Sequence, residues 1–486
     1  MGLFGCCFPS SSTAYTPLPQ SMADLTIRNL TVTPLELKLV ERFEGRPTSG
    51  GGRKLGKIKD KLTGSKKPPG VSHNCQLQGE PRERSDVSFR ISPFETHATP
   101  IRTADPSGEV IRLTFESAGH RYQIDVPSAT RQSSVMTKLD GGPNEYTTIY
   151  VEAGNCLTIF SSAHLPSWMG ELRDELPLSA LSLPGTHNSP TSHVALPSVR
   201  CQAVGIRKQL DNGVRFFDVR VGVSSSSTDL PLVHAAFPVS LKGTRYFADM
   251  LKKIYAFLDD NPSETLIMSI KREGIGKGTD QDLSRILKGR YYDGKRWYTE
   301  PRIPRLGEVR GKIVLLRRHE NHESLNGEFG ARGWGLDGSV WPDNCEDGRL
   351  GSGIARVQDF YEVDQSTNIQ KKIELIHKHL ERAGEPVFAL SASANDEAPR
   401  PFFINFLSAS NFFRANCWPE RIAAKANPAV IEYLCLRHGE EGKGPVGLPV
   451  GDACTGIVVT DWVGGDGDWD LIRCIVGWNA KLQLKK

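Results

Sequence analysis

The sequence predicts an α/β protein, a parallel (β/α) barrel preceded by a small all-β, sandwich-like domain. Three observations predict it. Over the first third, short runs of alternating apolar and polar residues are separated by turn residues at sandwich-like intervals. From Leu165 onward, apolar runs alternate with helical patterns, as in βαβ units. Those apolar runs repeatedly end in ionisable residues, and in a barrel the C-terminal strand ends share one mouth. The 486 residues exceed what one ordinary domain needs, and 38% hydrophobic against 24% charged residues permits a large core. A formal charge of +4 does not point to nucleic acid. No apolar run is long enough to span a bilayer, and the N-terminus lacks the basic start and long apolar core of a secretory signal. The ten cysteines show no zinc spacing and no C-x-x-C pair, which predicts a reduced, intracellular chain.

In order along the chain, residues 1–22 are rich in Ser, Pro and Thr and are expected to be a disordered tail. MGLFGCCFPSSS offers Gly2 for N-myristoylation and Cys6 and Cys7 for palmitoylation, although Cys6 stands where the acceptor pattern has Ser or Thr. Two acyl chains would anchor the chain stably to a membrane where one would not. Residues 23–160 carry the β-like runs LTIRNL, LELKLVERFE, DVSFRIS, EVIRLTFES, HRYQIDVP, EYTTIYVEAG and CLTIFSSA, with no catalytic cluster, and are read as an accessory domain. Between the second and third runs, residues 47–70 form a Gly- and Pro-rich loop. It holds Arg53, Lys54, Lys57, Lys59, Lys61, Lys66 and Lys67 against the single acid Asp60. It is either a solvated insertion or a patch for an anionic membrane surface, to which each basic residue adds about 1 kcal/mol.

The barrel is expected over residues 165–486. The clearest helix is Thr244–Leu258, where Tyr246, Phe247, Met250, Leu251, Ile254, Phe257 and Leu258 recur at steps of three and four. Strands are expected in SALSL, VRFFDVRV, LPLV, TLIMSIKRE, KIVLLRR (312–318), PVFALSAS (386–393), FFINF (402–406) and GIVVTDWV (456–463). His187 follows the first of these runs and His234 the third. Asp218 and Arg220, two apart, share one face of the second. Lys271 and Glu273 end the fourth, Arg318 the fifth, and Asp461 follows GIVVT. Singly, each has a structural explanation: a satisfied histidine, an ion pair, a solvated strand end, a turn cap. Jointly they supply the chemistry of phosphodiester cleavage. One imidazole takes a proton from a nucleophilic hydroxyl, the other gives one to the leaving oxygen, and a guanidinium stabilises the charge on phosphate.

Residues LSLPGTHNS, DNGVRFFDVRV with LVHAAF, DNPSETLIMSIKRE and RGKIVLLRR resemble, in order and spacing, the motifs of the phosphatidylinositol-specific phospholipase C X-domain family, its bacterial-type members in particular. The resemblance covers roughly residues 175–480. It implies an irregular TIM barrel that cleaves the glycerophosphate bond of phosphatidylinositol, giving diacylglycerol and inositol 1,2-cyclic phosphate. On that resemblance His187 would be the general base on the inositol 2-hydroxyl, His234 the general acid, Asp461 the residue orienting His187 and Arg220 the phosphate holder. Lys271, Glu273 and Arg318 would line the inositol pocket.

Two departures bear on cofactors. Asn188 stands where bacterial members carry Asp and calcium-dependent eukaryotic members carry a metal-binding Asn. Arg220 stands where those eukaryotic members have a second carboxylate. A guanidinium there would repel calcium, so metal-independent catalysis is expected and no cofactor. Ala235 replaces a glycine common in the second motif. A further acidic run, Asp466, Asp468 and Asp470, lacks the Gly and Glu of a calcium loop, with Leu471 and Gly477 in those places, and reads as a solvated turn. Residues 408–422, following FFINF, are expected at the cleft mouth. There Phe412, Phe413 and Trp418, with Arg414 and Arg421, suit insertion into a lipid surface. The expected partners are phosphatidylinositol and an anionic membrane surface, with no nucleic acid, and the expected location is intracellular and peripheral to a membrane. Another lipid phosphodiesterase, for glycerophosphodiesters or sphingolipids, and an inactive lipid-binding protein remain open on the sequence.

Overall fold

A computed structural model describes residues 24–47, 75–105, 108–128, 133–365, 368–388, 390 and 400–485. The acylation candidates Gly2, Cys6 and Cys7 and the basic stretch 48–70 lie outside the described residues. In the first third, two five-stranded sheets face each other. One has the order Glu95–Arg102, Asp24–Leu30, Cys156–Ser161, Tyr146–Val151, Ser133–Val135. The other has the order Cys75–Ile91, Leu35–Pro47, Glu109–Ser117, His120–Val126, Thr137–Lys138. Leu25, Ile27, Leu157 and Ile159 from the first sheet pack with Leu37, Leu113, Phe115 and Tyr122 from the second in one apolar cluster. The alternation along His120–Val126 buries Tyr122, Ile124 and Val126 and exposes or half-exposes the residues between them, the period of a strand with one face on a core. Asp24–Leu30 pairs parallel with Cys156–Ser161.

The rest of the chain wraps a ten-stranded sheet, of which two short strands, Trp297–Tyr298 and Gly348–Arg349, are flanking. The remaining eight are the barrel strands: Leu183–Thr186, Phe216–Val221, Leu266–Arg272, Ile313–Arg318, Leu336–Asp337, Ala355–Gln358, Phe402–Phe406 and Ile457–Thr460. They pair in parallel, and the eighth returns to the first through Gly185↔Val459. Among the described residues no pairing joins the fifth strand to the sixth, so the barrel is open on that side. Ile313–Arg318 and Phe402–Phe406 are buried at every position, as expected of strands covered on both faces.

The structure corrects the sequence reading in three places. The helix expected from Thr244 begins at Phe247. The three residues before it belong to an extended segment, in which Leu232 N–H donates to Arg245 O (2.7 Å) and Phe247 N–H to Leu230 O (2.9 Å). LPLV is not a barrel strand: Val233–His234 forms a two-residue ribbon with Phe237–Pro238 outside the barrel. Finally, the sixth strand is Ala355–Gln358, which the sequence reading lacked, and the described part of the candidate 386–393 is not a strand. Residues 386–388 carry no strand, and 389 and 391–393 lie outside the described residues. The sixth strand escaped notice because its residue facing the helix Asn368–Gly384 is polar yet buried. The Gln358 side chain donates to Asn405 Oδ1 (2.8 Å) and Phe406 O (2.9 Å) and accepts from Lys372 Nζ (3.0 Å).

Helices Asn368–Gly384, Pro419–Leu436 and Asp470–Gly477 cover the far side of the barrel. They share an apolar cluster with Leu30, Ile149 and Phe160 of the first sheet. Arg28, buried, reaches from that sheet to the C-terminal end of Pro419–Leu436. It donates to Cys435 O (2.9 Å) and His438 O (2.5 Å) and pairs with Glu440 (3.2 Å). A helix end leaves carbonyls without intrahelical partners and carries partial negative charge, and a guanidinium answers both.

Candidate active site

Because the eighth strand pairs with the first, the residues that follow them meet. His187 N–H donates to Thr460 O (2.9 Å), extending the ladder by one step, and His187 Nδ1 lies 3.0 Å from Asp461 Oδ1. A ring N–H on Nδ1 donating to that carboxylate leaves Nε2 as the basic nitrogen. Gln202 fixes the pair: its Nε2 donates to His187 O (2.7 Å), to Thr460 O (2.9 Å) and, at 3.4 Å, to Asp461 Oδ1. Burial pushes the Asp461 carboxyl up, against the attraction of His187.

His234 comes from the short ribbon after the second strand. Its Nδ1 is 2.9 Å from Val199 O, so this nitrogen carries the hydrogen and donates to the carbonyl. The His187 and His234 rings stand edge to face, with centroids 5.7 Å apart and planes at 86°. Burial first, then the positive charge of Arg220, drives the His234 pKa down to about 4, so the imidazole is neutral near pH 7. An anion placed between His234 and Arg220 would reverse the second effect and raise it again.

Asp218 and Arg220 share the inner face of the second strand, as their spacing predicts. The Arg220 fork is held at three points: Nε and Nη2 donate to Asp218 Oδ2, each at 3.1 Å, and Nη1 donates to Glu273 Oε1 (3.0 Å). Burial opposes charge on Asp218, but Arg220 and Arg318 hold its carboxyl well below the usual range. Burial likewise opposes charge on Arg220, and Asp218 and Glu273 keep it firmly protonated. Glu273 is pinned by Arg220, by Lys271 Nζ (3.1 Å) and by the Ala235 N–H (2.8 Å). Despite burial, the two cations pull its pKa down to about 2. Ala235 has φ +49, the left-handed region that favours glycine, which is how its amide comes to face Glu273. Arg318, buried, lies flat over Trp341 (3.7 Å to the ring centroid), with Asp218 at 3.7 Å and Asp359 at 4.0 Å. Asn188 donates its N–H to Asp218 Oδ2 (3.0 Å). Both ends of its carboxamide, and Asp218 Oδ1, are buried without a hydrogen-bond partner in the protein.

The structure thus brings His187, His234, Asp218, Arg220, Asn188, Lys271, Glu273, Arg318 and Asp461 into one cleft at the C-terminal ends of the strands. The rim agrees in part. Phe413 is 91% exposed and Phe412 47%, and Phe412 stacks on Phe237 (5.9 Å between centroids, 6° between planes). Trp418 does not project. It is half-buried, it precedes the helix Pro419–Leu436, and its indole N–H donates to Phe412 O (3.2 Å), so it braces the aromatic loop. In the turn Asp466–Asp470, expected to be solvated, Asp470 is instead buried. Asp470 accepts from Ser133 and pairs with Arg473, and Asp468 Oδ1 accepts from Asp470 N–H (3.0 Å).

Sequence reasoning missed Gln202, Asp359, Trp341 and the Val199 carbonyl. Asp359 carried a signal: it directly follows the sixth strand, the same strand-end placement that singled out Asp461. Gln202 and Val199 lie in an aperiodic loop and carried none.

Two imidazoles edge to face, one beside a buried carboxylate, and a carboxylate-held guanidinium therefore meet at the mouth of an open α/β barrel. The chain is similar to known proteins over this region. Residues 175–319 match the model of the phosphatidylinositol-specific phospholipase C, X domain. The chain is 29% identical over 296 residues to a 1-phosphatidylinositol phosphodiesterase of Listeria monocytogenes, covering 59% of this chain and 80% of that protein. It is 25% identical over 313 residues to one of Staphylococcus aureus, covering 61% and 88%. A solved phosphatidylinositol-specific phospholipase C structure from Staphylococcus aureus superposes with a TM-score of 0.50 at 23% identity, covering 65% of this chain and 98% of that one, and shares the barrel fold. Residues 175–319 are thus similar to the phosphatidylinositol-specific phospholipase C X domain, and the relatives that resemble the chain over about 300 residues are bacterial.

Proposed function

We propose that the chain is a phosphatidylinositol-specific phospholipase C that forms diacylglycerol and inositol 1,2-cyclic phosphate at a membrane surface. The observation that carries the reading is the right-angled His187–His234 pair beside the carboxylate-held Arg220. His187 Nε2 takes the proton of the inositol 2-hydroxyl, and that oxygen attacks phosphorus. Because nucleophile and phosphorus share one molecule, the step is favoured by proximity. The bond from phosphorus to the glycerol oxygen breaks, and His234 delivers a proton to the departing oxygen. Arg220 holds the phosphate oxygens, and phosphate binding raises the His234 pKa from its low value in the free protein, arming it as the acid. Asp461 stabilises the imidazolium that forms on His187. Asn188 and Asp218, with buried polar atoms still to be satisfied, and Lys271, Glu273 and Arg318 serve the inositol hydroxyls.

A resident calcium ion does not fit the donor set. Asn188 and Asp218 would offer it oxygens, but the Arg220 guanidinium fills the place of a second carboxylate, and Arg318 lies 3.7 Å from Asp218. The same arginine argues against a glycerophosphodiester or sphingolipid phosphodiesterase that holds a metal on paired acids. Phe237, Phe412 and Phe413 form the lipid-facing rim, and a solved structure of the Staphylococcus aureus enzyme concerns modulation of that enzyme's membrane binding. No helix among the described residues is long and apolar enough to cross a membrane. The exposed aromatic rim supports peripheral association, with the tail at Gly2, Cys6 and Cys7 and the basic stretch 47–70 as further anchors. Residues 23–160 serve as an accessory unit beside a catalytic barrel over 165–486.

The test is release of cyclic inositol phosphate from phosphatidylinositol vesicles, in EDTA and then in calcium. The expected result is equal activity in both, lost on His187→Ala and on His234→Ala, since each general acid or base supplies about 10²–10⁴-fold. Activity in calcium alone would overturn the role given to Arg220, and an active His187→Ala or His234→Ala would overturn the acid–base assignment.

A further inference from the structure

Cys201 has no part in the chemistry above, yet it sits among the groups that perform it. Its Sγ is 3.7 Å from His234 Nδ1. One ligand atom from each of His187, Cys201 and His234 lies within 4.8 Å of the other two, the one cluster of three such residues that could hold a metal among the described residues. We propose that His187, Cys201 and His234 form a binding site for a thiophilic divalent cation, Zn²⁺ above all, and that its occupancy switches the enzyme off. The inhibitory part of this proposal rests on the phospholipase reading; the site itself does not.

The geometry and the donor chemistry both support it. A tetrahedral zinc centre with bonds of about 2.0–2.3 Å sets its donor atoms roughly 3.3–3.8 Å apart. The separation of Cys201 Sγ from His234 Nδ1 already falls in that range. The longest separation in the group, at most 4.8 Å, closes by about 1 Å, which small side-chain rotations supply. One thiolate and two imidazoles suit zinc and disfavour calcium and magnesium, which prefer oxygen. Three protein ligands leave a fourth position for water, as in zinc sites that are not fully enclosed.

The ion would enter through the substrate cleft, where both histidines keep a small exposed edge, and meet the buried Cys201 behind them. On binding, the thiol proton leaves for solvent and a sulfur–metal bond forms. His234 gives up its hydrogen bond to Val199 O, and Cys201 its weak contact with the same carbonyl (3.6 Å). With both imidazoles engaged by metal, neither can carry a proton to or from substrate. No residue of the acid–base set need change for this to happen; the cysteine alone turns a histidine pair into a metal trap.

The experiment uses the metal-free full chain and two readouts. Titration with Co²⁺ should raise a thiolate-to-cobalt charge-transfer band with tetrahedral d–d bands, and Zn²⁺ should bleach it. Cys201→Ser and Cys201→Ala should both abolish the charge-transfer band. On phosphatidylinositol vesicles, micromolar Zn²⁺ should inhibit the parent protein and EDTA should restore it. The two variants should keep their activity and require at least about tenfold more Zn²⁺ for half inhibition, the scale on which loss of a metal-site residue acts. Absence of the charge-transfer band in the parent protein, its persistence in both variants, or variants as sensitive to Zn²⁺ as the parent would each overturn the proposal. If the protein does not hydrolyse phosphatidylinositol at all, the cobalt spectrum still decides whether the site exists.

Discussion

Replacing Asp461 with Asn keeps the shape of the side chain and removes its charge. In the parent protein the carboxylate lies 3.0 Å from His187 Nδ1 and is almost fully buried, so little solvent screens it. A hydrogen bond to a charged group contributes about 1.5–3 kcal/mol. That bond matters most when His187 becomes imidazolium, so its loss falls on the transition state. At roughly 1.4 kcal/mol per factor of ten, Asp461→Asn should lower kcat by about 10²-fold with little change in KM. The environment limits the damage. Gln202 Nε2 donates to the Oδ1 position, so an Asn carboxamide is held with its oxygen there and its nitrogen away. His187 then keeps its hydrogen on Nδ1 and its lone pair on Nε2. Gln202→Leu removes that constraint. In the double variant Asp461→Asn with Gln202→Leu the amide can turn, the ring can take the wrong tautomer, and the loss should deepen toward about 10⁴-fold, the scale seen when a catalytic histidine loses its orienting carboxylate. The assay is cyclic inositol phosphate release at saturating phosphatidylinositol vesicles, with circular dichroism to verify folding. An Asp461→Asn variant within threefold of the parent would refute the orienting role, and a double variant no worse than the single would refute the role of Gln202.

Two further predictions follow from other parts of the molecule. Phe413, 91% exposed at the rim, gains about 1.5–3 kcal/mol if fully buried in lipid. Phe413→Ser should therefore weaken vesicle binding by roughly 10–100-fold in a sedimentation assay without altering thermal stability, and unchanged partitioning would remove Phe413 from the membrane face. Acid should unfold the protein through its buried histidines. Burial drives His319 and His377 down to about 4 and His379 and His438 to about 3. A lowered pKa means the folded state binds fewer protons than the unfolded one, so this stability is complete above about pH 6.5 and is lost as pH falls toward 3–4, on the order of 3–5 kcal/mol per histidine. The melting temperature should fall steeply between pH 6.5 and 4. His438→Gln, whose amide can still donate to Ala453 O as His438 Nε2 does at 2.9 Å, should flatten that fall; an identical slope would show that His438 is not among its causes.

The site was legible in the sequence where chemistry and periodicity coincide. His187, Asp218, Arg220 and Asp461 end or follow runs that can only be buried strands, and a parallel barrel puts such ends together. His234 was legible only through its motif. The run before it reads as a strand, yet it forms a ribbon outside the barrel, because residues 230–232 pair with the extended segment before the helix Phe247–Asp260. Ala355–Gln358 was illegible because its buried Gln358 faces the covering helix and answers Lys372 there and Asn405 on the next strand, which no local pattern encodes. Trp418 misled for a related reason: an aromatic in a rim loop can brace that loop from below as well as project from it, and only the hydrogen bond to Phe412 O tells which. Arg28 looked like an ordinary polar residue on an alternating strand. Its partners are carbonyls more than 400 residues away, and no local pattern encodes them.

That contact also bears on how the chain is made. Arg28 is translated early, within a strand whose parallel neighbour, Cys156–Ser161, follows more than a hundred residues later. The carbonyls that accept from its guanidinium emerge only with Cys435 and His438. Until then a cation destined for burial has no acceptors, and burying one unpaired costs several kcal/mol. The seat of the strand Asp24–Leu30 on the end of the helix Pro419–Leu436 is therefore tied to those acceptors, because that interface would otherwise bury a guanidinium with no partner.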